Sequence, residues 1–236
     1  DPTSYTTAGS TITAVTDKAS NFTLTVNGTP TTGTTLNSLA TATFDGNENL
    51  TSTGTGPYAD SGNHYAVGIF QWASTTSTRD SFWSADAGRT YAVSSSDSSN
   101  GWPGEIDYDG SNQISFGKAK QDFTVSVSQN TWTIVSTSFN KTGNEIFGRI
   151  NGSQASAGDP YSTSMNSVAD FRLMRNRASV ELAGKAAEFF WVAGPTGTGG
   201  TDISNVEKAE GYIAWKWGLQ GNLPVSHPYK NAAPTT

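Results

Sequence analysis

Apolar and polar residues alternate with a period of two along most of this chain, the spacing of half-buried strands. The stretches 11–15 and 22–26 alternate in this way, and Asn27-Gly28 after the second is a turn signal. A strand is predicted over 39–44, closed by Asp45-Gly46. The run 64–72 is almost continuously apolar, as a strand covered on both faces would be, and is expected at the centre of a sheet. Further strands are predicted at 81–83 and 90–93. The stretches 105–108 and 113–116 flank the turn Asp109-Gly110, and 123–127 and 132–139 form an expected hairpin around Gln129-Asn130. The strand 145–150 runs into Asn151-Gly152, and 171–174 and 186–192 complete the set. The stretches 47–63, 94–104 and 153–167 read as loops, and 194–200 as a flexible lead. Residues 1–10 are polar and read as an arm or linker. Many short strands between turn signals, with no internal repeat, predict one sandwich domain over 11–236.

Near the end the period changes to that of a helix. Ile203, Val206, Ala209, Ile213 and Trp217 recur at three- and four-residue spacing. Ser204 and Glu207 have the spacing of a capping box, so a helix is expected from about Ser204 or Asn205 to about Trp217. Gly218 suits a left-handed stop and Pro224 bars resumption. Glu210 falls on the apolar side. A buried carboxylate must be paired or hydrogen-bonded, so a structural clamp to an arginine or to backbone amides is expected there, and Glu188 admits the same reading.

The stretch Glu210-Gly211-Tyr212-Ile213-Ala214-Trp215-Lys216-Trp217-Gly218-Leu219, followed by Leu223-Pro224 and His227-Pro228-Tyr229, resembles the closing motif of LamG-like, concanavalin A-type jelly-roll domains. Asp17-Lys18, Phe44-Asp45-Gly46, Asn151-Gly152 and Gly184-Lys185-Ala186-Ala187-Glu188 resemble that family's earlier signposts, in the same order. Position 15 is Val where the family often has Trp, and position 215 is Trp where it often has His. The resemblance implies an all-β, concanavalin A-like jelly-roll β-sandwich with one short C-terminal α-helix. Such domains are frequent in structural proteins of tailed phages and in large bacterial surface proteins.

Composition narrows the chemistry. The 236 residues include 14 Lys and Arg against 20 Asp and Glu, a net charge of −6, and the basic residues are scattered. A nucleic-acid footprint of clustered cations is therefore not expected. Cysteine is absent, which excludes disulfides, thiol catalysis and Cys-based zinc sites. No apolar run approaches a membrane span.

Glu105, Asp107 and Asp109 share one face of a strand, and their setting resembles the catalytic core of family 16 glycoside hydrolases. Retaining glycosidases need two carboxyls about 5–5.5 Å apart. By that resemblance Glu105 would be the nucleophile and Asp107 its neighbour, but the acid/base glutamate would fall on Gly110. No enzyme activity is expected. Asp107, Asp109 and Asn112 also alternate around a glycine, as calcium ligands do, without the full loop pattern, and an ordinary Asp-Gly turn is favoured. Neither a cofactor nor a structural metal is expected. His227 is read as structural.

Exposed aromatics suit sugars and protein interfaces. On a helical wheel Trp215 lies opposite Val206, Ile213 and Trp217, beside Lys208 and Tyr212. These three, with Trp102 beside Pro103, are the candidate binding residues. A competing account has the tail after Gln220 folding back over Trp215. The resemblance to LamG-like domains of tailed phages, and it alone, implies a non-enzymatic virion-surface protein of a tailed phage, a capsid decoration or fibre domain, which docks on other virion or surface proteins and holds glycans. The alternatives are a carbohydrate-binding module of a bacterial surface protein and a family 16-like glycoside hydrolase. Neither nucleic acid nor membrane insertion is expected, and the location is the virion surface or the cell exterior.

Overall fold

A computed structural model describes residues 4–19, 23–52, 64–74, 80–86, 106–108, 113–116, 125–140, 145–154, 159–160, 170–175, 181–193 and 203–235. Among the described residues the chain is an antiparallel β-sandwich with one α-helix laid on its outside. Its central strand is His64–Ser74, which pairs with Thr133–Asn140 on one side and Ala183–Ala193 on the other. Outward from Thr133–Asn140 come Glu145–Ile150 and Ser153–Gln154. Outward from Ala183–Ala193 come Leu39–Asp45, Thr31–Leu36 and Thr11–Thr16. Thr23–Asn27 then carries the ladder around to the opposing layer of Asn49–Thr51, Asp170–Leu173 and Trp83–Asp86. A separate four-stranded sheet joins Val125–Ser126, Gln113–Phe116, Ile106–Tyr108 and Asp80–Ser81.

The apolar run 64–72 is explained by two cores, one on each face. Ala66, Phe70 and Trp72 point between the layers, where they meet Phe82, Trp83, Phe171 and Leu173. Phe70 and Phe82 stack with ring centroids 4.8 Å apart. Val67 and Ile69 point the other way, toward Ile213, Ala214 and Trp217 of the helix. The helix Ile203–Lys216 therefore lies on the outer face of the central strands. Gly218 adopts a left-handed φ of 72° directly after it. Among the described residues no helix is long and apolar enough to cross a membrane.

The structure departs from the sequence expectations at several places; the expected loop 153–167, for one, contains the strands Ser153–Gln154 and Asp159–Pro160. Tyr5–Ala8, read as an arm, is a strand paired with Thr11–Thr16. Thr31–Leu36 is a strand that polar-apolar alternation could not announce, because it is threonine-rich, yet β-branched threonine suits an exposed pleat. Asn49–Thr51 lies inside the expected loop 47–63 and is held by pairing on both sides. The stretches 123–127 and 132–139 are not a hairpin, since Val125–Ser126 and Thr133–Asn140 belong to different sheets. Asn130 does turn there, with a φ of 56°, but its N–H donates to Trp72 O at 2.8 Å, which steers the chain into the central sheet. Finally, the helix begins at Ile203, which puts Ser204 inside the first turn and leaves Ile203 itself exposed; the buried stripe starts at Val206. The expected strand 90–93 lies outside the described residues.

Candidate functional site

Glu210 is completely buried, on the side of the helix that faces the sheet. Its carboxylate accepts from Arg149 Nε at 2.9 Å and Nη2 at 3.1 Å, from the Ser136 hydroxyl, and from His227 Nε2 at 3.2 Å. Arg149 comes from Glu145–Ile150, Ser136 from Thr133–Asn140, and His227 from the tail beyond the helix. The second ring nitrogen of His227 accepts the Tyr229 N–H at 3.2 Å, which leaves Nε2 as the protonated nitrogen that donates to Glu210. Arg149 Nη2 also donates to Gly152 O at 2.6 Å and stands 3.4 Å from Glu207. One carboxylate thus joins the helix, two strands and the tail. Burial alone would push the Glu210 carboxyl up. The bonds from His227, Arg149 and Ser136 and the Arg149 charge outweigh it, and the net direction is down.

Glu188 forms a second tie. It accepts from Lys216 Nζ at 2.9 Å and from the Trp217 indole N–H at 2.6 Å. Asn37 Nδ2 donates to Lys216 O at 2.8 Å and so satisfies a carbonyl at the helix C-terminus. Both carboxylates that the sequence suggested as clamps are clamps. An arginine partner for Glu210 was expected, but not which arginine, and neither Ser136 nor Lys216 was foreseen. The available signal was an arginine inside the strand run Ile146-Phe147-Gly148-Arg149-Ile150, where an unpaired cation would be costly.

Three of the candidate binding residues, Lys208, Tyr212 and Trp215, lie on the opposite side of this helix. Lys208, Tyr212 and Lys216 follow one another at four-residue spacing, and Tyr212 is 49% exposed. Lys216 Nζ sits 5.7 Å from the Tyr212 ring centroid, within cation–π range. Trp215 is half-buried. The tail folds back beside it, and its indole N–H donates to Tyr229 O at 2.8 Å. Tyr229 rests directly on Gly211, where a Cβ would come within 2.5 Å of the tyrosine Cβ. Tyr212 therefore carries the open aromatic area, and Trp215 is shared between surface and tail.

Trp215→Ala is accordingly expected to lower stability by about 1–3 kcal/mol, less than the roughly 3–5 kcal/mol of a fully buried aromatic. Tyr212→Ala should stay within about 0.5 kcal/mol, as for an ordinary surface change. Denaturant titration of the two variants checks the pair. A neutral Trp215→Ala would mean that the tail does not depend on that indole.

Trp102, Glu105, Asp109 and Asn112 lie outside the described residues. Asp107 lies in the strand Ile106–Tyr108, and its backbone is paired with Ser81 and Ser115. Ile106–Tyr108 and Gln113–Phe116 pair antiparallel around the expected Asp109-Gly110 turn. Among the described residues no group of three or more histidine, aspartate or glutamate side chains is placed to hold a metal ion.

No family model and no curated protein sequence matches this chain. Solved structures do match its fold. Domain 4 of AbnA, an extracellular family 43 arabinanase from Geobacillus stearothermophilus, was solved with arabinotriose. It aligns with 76% of this chain and 86% of its own, at 16% identity and a TM-score of 0.55. The binding domain of botulinum neurotoxin DC, solved with SialylT, aligns with 86% of this chain and 51% of its own, at 13% identity and a TM-score of 0.52. A Trypanosoma rangeli sialidase in complex with a difluoro-KDN ligand aligns at 10% identity and a TM-score of 0.56, over 80% of this chain and 29% of its own. The chain therefore spans about half of the neurotoxin domain and under a third of the sialidase. At these identities the likeness establishes the β-sandwich fold and nothing further.

Proposed function

We propose that this chain is a non-catalytic surface module of a tailed-phage virion, a capsid decoration or fibre domain, that docks on a protein partner and holds glycans. The observation that carries the reading is the outer face of the helix. An open Tyr212, flanked by Lys208, Lys216 and the half-covered Trp215, stands on a helix fixed to the sheet by one buried and one partly buried carboxylate tie. Sugar rings stack on such aromatics, and Lys208 beside them donates to hydroxyls or pairs with acidic sugars. The virion setting is supported by the closing motif from Glu210 to Tyr229 and its resemblance to phage LamG-like domains. Absence of catalysis is supported by Gly110 standing where the glycosidase resemblance needs a glutamate, and by the structural use of Glu188 and Glu210.

A second reading, a carbohydrate-binding module of a bacterial surface protein, is favoured by the likeness to an arabinanase domain solved with arabinotriose. It uses the same face and differs in where the chain resides. Immunogold labelling of purified particles separates the two: labelled capsids or fibres support the virion reading, and label confined to bacterial envelopes supports the module.

The glycan part is tested by titration against arabino-, sialyl- and β-gluco-oligosaccharides. Saturable binding is expected, weakened at least about tenfold in Tyr212→Ala with the melting temperature unchanged. Laminarin, lichenan, agar and carrageenan should not be hydrolysed. Turnover abolished by Glu105→Gln would overturn the non-catalytic reading.

A further inference from the structure

The core between the two layers is not uniformly packed. Phe70, Trp72, Phe82 and Trp83 are fully buried. At the other end, beside Thr11–Thr16 and Thr23–Asn27, a cavity of about 440 Å³ opens between the layers. Its walls include Ile12, Leu24, Phe44, Phe171, Phe189 and Trp191. Phe189 and Trp191 pack against the core and yet remain only partly buried. Tyr5, Thr16, Asp17 and Lys18 stand with the polar residues of the lining.

Protein interiors leave few voids larger than a water molecule, and apolar cavities do not fill with water. An apolar cavity of about 150 Å³ takes up benzene. This one has close to three times that volume, room for a body of two or three rings. Aromatic walls favour an aromatic guest, because offset and edge-to-face ring contacts add to the area buried. The charge that meets it follows from the lining. Of the two carboxylates in the lining, Asp17 accepts the Ala19 N–H through Oδ1 at 3.1 Å and Glu188 is paired with Lys216. Lys18 is exposed and has no ion-pair partner among the described residues.

We propose that this cavity is a binding site, separate from the helix face, for a small amphiphile with an aromatic body and an anionic end. The rings enter between the layers, against Phe44, Phe171, Phe189 and Trp191, and the anion remains near Lys18. The site needs no sugar and no partner protein, so it stands or falls independently of the function proposed above.

The probe is 8-anilinonaphthalene-1-sulfonate, which has this size and charge, titrated against the whole chain at neutral pH and followed by fluorescence. One saturable site with blue-shifted emission is expected. Ala186→Phe, which adds a ring to the inner face of Ala183–Ala193, should remove the site. Lys18→Glu lies on the surface and should keep the fold while weakening the probe about tenfold. The uncharged N-phenyl-1-naphthylamine should bind wild type and Lys18→Glu alike. No saturable binding by the folded wild type would overturn the proposal. So would binding that survives Ala186→Phe in a folded protein, binding indifferent to Lys18→Glu, or binding lost in Tyr212→Ala, which would place the probe on the helix.

Discussion

Glu210→Ala should lower stability by about 3–5 kcal/mol, as much as truncating a fully buried aromatic. The reason is what it leaves behind. Arg149 is nearly completely buried, and two of its nitrogens point at Glu210. Without that carboxylate the guanidinium keeps only Gly152 O and the more distant, partly exposed Glu207. A buried charge that loses its partner forfeits the attraction and keeps the desolvation cost. Ser136 and His227 lose an acceptor in the same step. Glu210→Gln preserves the shape and one acceptor oxygen but removes the counter-charge, so its loss should be intermediate. Joint replacement of Glu210 and Arg149 by apolar residues of similar volume should recover part of the loss, because no charge is then stranded. Chemical denaturation of the three variants tests this order. A Glu210→Ala protein as stable as wild type would mean that the clamp is not formed in solution.

The same clamp sets a direction with pH. The folded-state Glu210 carboxyl lies below the ordinary glutamate value of 4.5. A carboxylate depressed on folding contributes stability that is fully present above its unfolded value and is lost as pH falls through its folded one. Acid should therefore weaken the wild-type protein in the range below about pH 4.5 more than it weakens Glu210→Gln. Stability curves that fall in parallel would assign the acid loss to other groups.

The clamp also shows what the sequence could and could not disclose. A carboxylate on the apolar stripe of a helix announces that it is paired, so the role of Glu210 was legible. Its partner was not, because Arg149 lies 61 residues away and no local period links a helix to a strand across the sheet. The central strand was legible because burial on both faces leaves an unbroken apolar run. Thr31–Leu36 was not, because its register is set by pairing with Leu39–Asp45 and its side chains carry little apolar signal. The helical wheel placed Trp215 correctly on the side away from the sheet, but a wheel contains only the helix. It cannot show that Tyr229 comes back to accept the indole N–H. Several signposts that resemble a family motif turn out to touch one another. Glu210 meets His227, Gly211 meets Tyr229, and Trp217 meets Glu188. Asn151-Gly152 forms a turn with φ of 49° and 77°, and Gly152 closes against His227. In this chain these residues form one interlocked joint between helix, tail and sheet.

Gly184 gives the sharpest test of that joint at the level of the backbone. Intrinsic propensity predicts a gain from Gly184→Ala, since glycine within a strand costs roughly 0.5–1 kcal/mol relative to alanine. The packing predicts the opposite sign. A Cβ at 184 would sit 2.3 Å from Gln71 O and 2.9 Å from Trp72 Cα. Both atoms belong to the backbone of the central strand, so no rotamer change can relieve the contact. Ala183–Ala193 is itself held on both sides, by His64–Ser74 and by Leu39–Asp45, and its register with the central strand already shifts between Ala183 and Gly184. Separating the strands to admit a methyl group would break ladder bonds and draw Trp72 out of the core. Overpacking that side chains can absorb costs about 1–3 kcal/mol, so a clash with fixed backbone should cost about 3 kcal/mol or more. Gly221→Ala is the control. A Cβ there meets nothing within 4 Å, and stability should change by less than about 0.5 kcal/mol. If denaturation midpoints of the two variants coincide, Ala183–Ala193 does not approach the central strand as closely as this fold requires. A large loss confined to Gly184→Ala would show that glycine is needed here for the approach of its neighbour, with its own freedom of φ playing no part.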